Sequence, residues 1–360
     1  MSGAESAPPG GRVIVIVLVY RGADIAIECL SSVLASDYPD FRVVVLDNSS
    51  PDGAYARLKA WAGGAPPPPI TNSPIGAAAN TTGPLDFAER APGDAPSDTA
   101  SLPRLTLVET GANLGYAGGN NVALRWLQNL SDWDYAWILN PDTVIARDAM
   151  PALIKKCAGD PRLGAVGARI AYYNQPDVIQ EWGGAKYRPW RGTGRLLGLG
   201  HPASESVDES RVAEELSYVS GASLFFTREF LRRAGPMDES YFLYFEEADW
   251  CRRRGDLKLG YAHEARVYHR LGSSIGSSTS YRDRSPLSIG WSLCNRFRFA
   301  RKFYRGALPF IYLSSYIDIA RMVLAGAFAN AWLEFKLING LAPFPAAPDT
   351  GRNGRGASAG

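Results

Sequence analysis

Val13-Ile-Val-Ile-Val-Leu-Val19 and Phe41-Arg-Val-Val-Val-Leu-Asp47 decide the architecture of this chain. Neither run shows the apolar–polar alternation of a strand with one wet face. Continuous β-branched runs of this length are buried on both faces, as inside a parallel sheet. The residues between them read differently. Over 24–35, Ile25, Cys29, Leu30, Val33 and Leu34 recur at helical spacing, and Asp24 is placed to cap. Strand, helix and strand in that order predict a parallel pair joined by a right-handed crossover. Residues 105–109 and 135–139 read as further strands, and 118–130 and 146–157 as helices. The expectation is an α/β fold: a mostly parallel, Rossmann-like, doubly wound sheet with helices on both faces.

Residues 63–104 interrupt this alternation. They carry Pro66-Pro-Pro-Pro69 and are rich in Ala, Gly, Asp, Ser and Thr, too polar to offset ordering entropy, so a disordered insert is predicted. Disorder is also expected over 1–10 and 343–360. In the second half, 172–208 reads as loop, 218–226 as a strand, 227–234 and 246–254 as helices, and 265–268 as a short strand. From Ser288 the chain turns helical, aromatic and basic. This divides it into a domain over 11–287 and a helical extension over 288–342.

Of the 360 residues, 46 % are hydrophobic and 21 % charged, enough apolar surface for a sizeable core. The net charge of +2 supplies no global field that would draw nucleic acid. Cys29, Cys157, Cys251 and Cys294 lack paired metal-ligand spacing, which argues against structural zinc and for a reducing compartment. No apolar core of signal-peptide length precedes Val13, so a cytoplasmic protein is expected.

Four segments carry chemistry, and three of them begin where a strand ends. Ligands collect at the carboxyl ends of strands in such sheets. Asp47-Asn48-Ser49-Ser50 can accept from a base N–H or a ribose hydroxyl. The segment from Gly111 to Asn121, with Asn113, Gly115, Gly118, Gly119 and Asn120, precedes a helix whose N-terminus suits a diphosphate. Asn140-Pro141-Asp142 offers oxygen ligands to magnesium or manganese, which need only one or two carboxylates beside substrate phosphates. Glu246-Glu247-Ala-Asp249 follows an aromatic run, and a buried carboxylate there has a raised pKa suited to a base. His269 follows the short strand. Taken singly, each segment also fits an ordinary turn, cap or core position.

Taken in order, these motifs resemble the family 2 glycosyltransferases, which have the GT-A fold, over roughly residues 11–305. The Asn113-Leu-Gly115-Tyr-Ala-Gly118-Gly119-Asn120 segment and Asn140-Pro141-Asp142 are similar to the rhamnosyltransferase-type branch. The resemblance implies a donor-nucleotide site at Tyr20, Asp47, Asn48, Asn113, Gly115, Gly118, Gly119, Asn120 and Asn140. It implies Mg2+ or Mn2+ at Asp142 and His269, and a base among Glu247, Glu246 and Asp249. The partners would be a nucleoside-diphosphate sugar, rhamnose being the favoured sugar, and a glycan or lipid-linked acceptor in bacterial cell-surface polysaccharide synthesis. The reaction would be inverting. Two departures stand out: Asn140 replaces a common Asp, and Glu247 replaces the usual Asp with a side chain one methylene longer. Glu247 is the favoured base, because it lies about 100° round the helix from Glu246, which shares a face with Asp249 and Arg253. A catalytically silent nucleotide-sugar binder would not need Asp142, Glu246, Glu247 and His269 together. A nicotinamide oxidoreductase would need a glycine fingerprint after Val19, where Tyr20-Arg-Gly-Ala stands instead.

Arg298, Arg301, Lys302 and Arg305 share a helical face, and the apolar stretch 308–332 is broken by Asp318 and Arg321. A basic surface helix resting on an anionic membrane, without crossing it, is therefore expected. The competing expectation is a helix pair packed on the catalytic domain.

Overall fold

The computed structural model describes residues 10–70, 72–76, 81–270 and 281–346. The disorder expected over 1–9 and 347–360 lies outside these residues. The chain runs β1 (Val13–Val19), α1 (Ala23–Leu34), β2 (Phe41–Asp47), α2 (Ala54–Ala62), β3 (Phe87–Arg90), β4 (Leu105–Glu109), α3 (Gly115–Gln128), β5 (Tyr135–Leu139), β6 (Thr143–Ile145) and α4 (Ala149–Gly159). It continues through β7 (Leu163–Tyr172), β8 (Gln175–Trp182), β9 (Gly184–Arg188), β10 (Thr193–Leu196), α5 (Glu209–Glu215), β11 (Tyr218–Val219), β12 (Ser223–Thr227), α6 (Arg228–Ala234), α7 (Glu246–Arg252) and β13 (Lys258–His269). Three helices follow: α8 (Pro286–Phe303), α9 (Leu308–Leu324) and α10 (Phe328–Ile338).

Ten strands form one sheet in the order β3-β4-β2-β1-β5-β12-β7-β13-β6, with β8 on β7. From β4 to β5 the sheet is parallel, as expected, and β3 joins β4 in parallel. Beyond it β12 runs antiparallel between β5 and β7. The continuous apolar run of β1 has a simple cause. Val13, Val15, Val17 and Val19 face a core covered by α1, α2 and α4, while Ile14, Ile16 and Leu18 face a second core under α3, α6 and α7. Alternate residues point to opposite faces, so burial on both sides makes every position apolar.

Several boundaries differ from expectation. Asp24 does not cap α1: Gly22 stands at the cap, its N–H donates to Asp52 Oδ2 at 2.9 Å, and Asp24 pairs with Arg57. Helix α3 starts three residues early, at Gly115. The expected loop over 172–208 contains β8 and the antiparallel pair β9–β10, which joins β11 in a three-stranded sheet. The expected strand over 218–226 breaks into β11 and β12.

The insert is also corrected. Phe87–Arg90 extends the sheet in parallel with β4. Asp132 Oδ2 accepts from Thr99 Oγ1 at 2.8 Å and from the N–H groups of Thr99 and Ala100, and Leu102 is buried. A short edge strand and one carboxylate anchor order this part, and average composition does not reveal either.

Helices α8, α9 and α10 share a small core built from Leu293, Phe297, Ile311 and Leu337. Phe299 of α8 packs on Tyr187 and Phe245, so the extension is docked on the α/β domain.

Candidate active site

The carboxyl ends of β1, β2 and β5 and the end of β13 open into a cavity of about 520 Å³. Tyr20, Asn48, Asn113, Gly115, Asn140, Asp142, Glu246, Glu247 and His269 all line it. Residues more than two hundred positions apart are thus gathered where the sheet changes direction.

The segments after β2 and before α3 are held mainly by each other. Asn48, buried at the tip of β2, donates from Nδ2 to Asn113 Oδ1 at 3.0 Å and to the Gly115 carbonyl at 3.1 Å. Its Oδ1 accepts from Leu114 N–H at 2.9 Å. The Gly115 N–H goes to Asn113 Oδ1 and the Tyr116 N–H to the Phe242 carbonyl. The amides of Leu114, Gly115 and Tyr116 are therefore occupied and are not open to the diphosphate expected at this helix N-terminus. Gly115, at φ +71°, is required by position: a Cβ there would lie 2.4 Å from the Phe242 carbonyl oxygen. Gly118, Gly119 and Asn120 do not line the cavity. Gly119 instead lets α3 approach Leu18, and Asn120 Nδ2 donates back to the Tyr116 carbonyl. Asp47 stays buried beneath the rim; its Oδ2 accepts from Ser50 N–H, and its Oδ1 has no protein partner.

Asp142 and His269 meet on the cavity wall, with Oδ1 and Nε2 3.2 Å apart. Gln180 Oε1 lies 3.1 Å from His269 Nδ1 and fixes the ring. Burial disfavours the imidazolium, but the hydrogen bond and charge of Asp142 prevail and raise the His269 pKa. The turn behind is anchored from α1. Buried Glu28 accepts from Arg270 Nη2 at 2.5 Å and from Tyr173 OH at 2.7 Å, and Arg270 N–H donates to the Asp142 carbonyl. Among the described residues no group of three or more His, Cys, Asp and Glu could enclose a metal ion. One carboxylate oxygen and one imidazole nitrogen on an open wall fit magnesium or manganese when diphosphate oxygens complete the shell.

The acidic segment divides in two. Asp249 is fully buried away from the cavity, with Arg253 Nε at 2.6 Å and Lys302 Nζ at 2.5 Å. Its expected catalytic part is thereby corrected to a structural one. Glu246 does not join that pair, contrary to the helix-face argument. It faces the cavity, and its buried Oε2 has no hydrogen-bond partner. Burial pushes the Glu247 carboxyl up to about 7 and raises the Glu246 carboxyl well above its ordinary value, with the Glu247 charge adding to the rise of Glu246.

Sequence reasoning missed several wall residues. Glu181 at the end of β8 is buried, accepts from Ser220 Oγ at 2.7 Å, and has its pKa raised by desolvation. A carboxylate just before Trp182-Gly183-Gly184 was the available clue. Phe242, stacked on Trp291 at 5.1 Å, and Leu287 bring α8 into the cavity. Asn295 of α8 donates to the carbonyls of Leu243 and Tyr244 at 2.8 and 3.1 Å.

A strand-end cavity with these walls on this sheet defines a GT-A glycosyltransferase architecture. The crystal structure of GalNAc-T7 with UDP, GalNAc and Mn2+ has the same fold at a TM-score of 0.55 and 12 % identity, covering 93 % of this chain and 58 % of that one. The family model described as Glycosyl transferase family 2 matches residues 14–71. An N-acetylglucosaminyl-diphospho-decaprenol L-rhamnosyltransferase of Mycobacterium tuberculosis is 28 % identical over 199 residues, 48 % of this chain and 61 % of that protein. The low-salt glycan biosynthesis hexosyltransferase Agl10 of Haloferax volcanii is 23 % identical over 165 residues, 45 % of this chain and 50 % of that protein. The chain thus spans less than two thirds of the length of these relatives. Over residues 14–71 it matches the family 2 glycosyltransferases, and over about half of its length it is similar to a rhamnosyltransferase.

Proposed function

We propose that the chain transfers a sugar, rhamnose in our reading, from a nucleoside-diphosphate donor to an acceptor hydroxyl with inversion, in bacterial cell-surface polysaccharide synthesis. The observation that carries this is the place of Glu247. Its side chain borders both the strand-end cavity and a second cavity beneath α8 and α9. A base between two cavities can take the acceptor proton while the acceptor oxygen attacks from the face opposite the leaving nucleotide. A pKa near 7 matches the group to that task at neutral pH.

The residues divide the work. Tyr20, Asn48, Asn113, Gly115 and Asn140 line the donor side, with Asp47 below. Asp142 and His269 would hold Mg2+ or Mn2+, which when bound supplies positive charge against the departing diphosphate. Glu246, whose buried carboxyl is biased toward its protonated form, lies on the same cavity wall. No covalent enzyme intermediate is required. The relatives' names support a lipid-linked or glycan acceptor for this chain.

A membrane-facing location is part of the same proposal, with its surface corrected. Lys302 is engaged by Asp238 and Asp249, and Arg298 bonds Asn295, so two of the four residues of the expected basic face are held by the fold, while Arg301 and Arg305 stay exposed. The apolar surface lies on α9 and α10 instead: Leu313, Leu324, Phe328 and Trp332 are 61 %, 88 %, 66 % and 57 % exposed. One described segment, Arg305–Leu324, is long and apolar enough to span a bilayer. Asp318 on it is paired with Arg191 of the α/β domain and with Arg296 of α8, which favours α9 lying along the inner face of the membrane of a cytoplasmic protein.

The decisive test is mass spectrometry of a panel of nucleotide sugars incubated with the protein and manganese. Consumption of one donor, dependent on Glu247, is expected. No consumption of any donor, with or without acceptor extracts, would sink the proposal.

A further inference from the structure

Glu181 is buried on the wall of the strand-end cavity, beside an irregularity in β8. Ile170 of β7 faces Glu181, but its neighbour Ala171 faces Ile179, so Gln180 is an extra residue in the strand. Consecutive strand residues ordinarily point to opposite faces, and a bulge of this kind re-aims a side chain. Gln180 Oε1 lies 3.1 Å from His269 Nδ1, and Glu181 lines the cavity together with His269, so both residues serve one wall. Ser220 Oγ, donating at 2.7 Å, is the hydrogen-bond partner of Glu181 among the described residues. No Lys or Arg among the described residues lines this cavity, so no cation balances the carboxyl there. A carboxylate has about four acceptor sites, and one serine hydroxyl fills one of them. Buried Glu246 Oε2, on the same cavity wall, has no partner at all. Such groups are costly to bury unless donors arrive to satisfy them.

We infer that Glu181 accepts hydrogen bonds from ring hydroxyls of the donor's sugar and so sets which sugar the protein takes. The inference rests on the proposed donor site in this cavity. The Glu181 charge acts on both His269 and Glu247, so the carboxyl lies within reach of the proposed diphosphate end and of the proposed base. A sugar in transfer has to occupy the space between those two. Sugar hydroxyls are neutral donors, which suits a wall that carries carboxyls and no cation. Two neighbouring ring hydroxyls can reach the two oxygens of one carboxylate, and Ala222 and Leu243 of the same cavity offer apolar contact to ring carbons. A site built around such bonds rejects a sugar that lacks the hydroxyl or turns it the other way, because the buried acceptor is then left unpaired.

The test is calorimetric titration, with manganese present, of dTDP-rhamnose, UDP-GlcNAc and GDP-mannose, each beside its own nucleoside diphosphate. Glu181→Gln keeps the shape of the side chain and an acceptor for Ser220, and thermal melts verify its folding. Glu181→Asp, which draws the carboxylate back by one methylene, is the second variant. For the nucleotide sugar that wild-type protein binds best, both variants should weaken affinity about tenfold, the worth of one charge-assisted hydrogen bond, and leave the matching diphosphate unchanged. Among deoxy forms of that sugar, each lacking one ring hydroxyl, one should bind wild type more weakly than the parent does and bind Glu181→Gln as the parent does. A purely structural role for Glu181 would move sugar and diphosphate together, and a role as metal ligand would weaken both only when manganese is present; either result would overturn the inference. So would variants that bind every probe as wild type does, or wild-type protein that binds none of the three sugars. Consumption of a donor with the same KM in wild type and Glu181→Gln would remove the inference and leave the transferase reading intact. Sugar-selective loss in a protein that transfers to no acceptor would do the reverse.

Discussion

Asn295 holds the Leu243 carbonyl at 2.8 Å from the middle of α8, fifty-odd residues away in sequence. The same amide reaches the Tyr244 carbonyl, and Tyr244 and Phe245 both carry positive φ, near 71° and 72°. Two bulky residues in that region cost about 1–3 kcal/mol each and persist only when the surroundings impose them. Asn295→Ala should therefore let the turn relax and displace the carboxylates that follow it. Transfer should fall about tenfold in kcat with little change in donor KM, and melting should drop by a few degrees. Unaltered kcat in a folded variant would mean that the turn holds its shape without the clamp.

Glu247→Gln keeps the shape and removes the proton acceptor. A loss of roughly 100-fold or more in kcat is expected, the usual worth of a general base. In the wild type the rate should fall as pH drops through about 7, because the base must be deprotonated. Glu246→Gln should act on stability with a definite sign. A carboxyl whose folded pKa is raised favours the folded state below its ordinary pKa, and that contribution is lost as pH rises through the folded value. The Gln variant should melt a few degrees above wild type at pH 8 and level with it at pH 4. Matching melting curves at both pH values would contradict a buried, uncompensated Glu246.

Asp142→Ala leaves His269 without its carboxylate. Titration of nucleoside diphosphates with manganese should show affinity reduced at least tenfold, while metal-free affinity stays the same. Wild-type metal dependence in the variant would place the cation elsewhere.

The insert should respond differently at its two ends. Gly64 and Pro84 are neighbours, and the Leu85 N–H donates to the Ala62 carbonyl at 2.8 Å, so a short Gly-Ser link replacing 66–82 spans little distance. That deletion should shift melting by only a few degrees. Removing 64–101 takes away β3 and the Thr99–Asp132 bonds and should cost much more. Equal melting temperatures for the two deletions would show that the edge strand contributes nothing.

Leu313→Asp with Trp332→Asp should abolish pelleting with phospholipid vesicles and leave turnover of a water-soluble acceptor unchanged. Both residues are mostly exposed, so the fold should tolerate the change. Vesicle binding that survives would reject the α9–α10 surface as the contact.

Half of the sheet was legible because its strands are buried on both faces, and such runs have no other reading. The antiparallel half was harder. Phe225 and Phe226 of β12 sit in opposite cores, but nothing local reveals that β12 inserts between β5 and β7. In the site, Asn48, Asn140, Asp142, Glu247 and His269 were legible by type and order. The division of labour was not: Gly119 serves packing, Asn113 serves a turn, and Asp249 serves an ion pair with Lys302, a partner brought by the fold from another helix. Glu181 was missed because its neighbours looked like loop.

Trp291 and Leu287 close one wall of the strand-end cavity from a helix that begins where a domain boundary was expected. The C-terminal helices are consequently no cassette. Grafting them onto a related α/β domain to change acceptor choice would import part of the strand-end cavity as well, so, with the donor in that cavity as proposed, sugar preference and acceptor preference should shift together in chimaeras joined near residue 287.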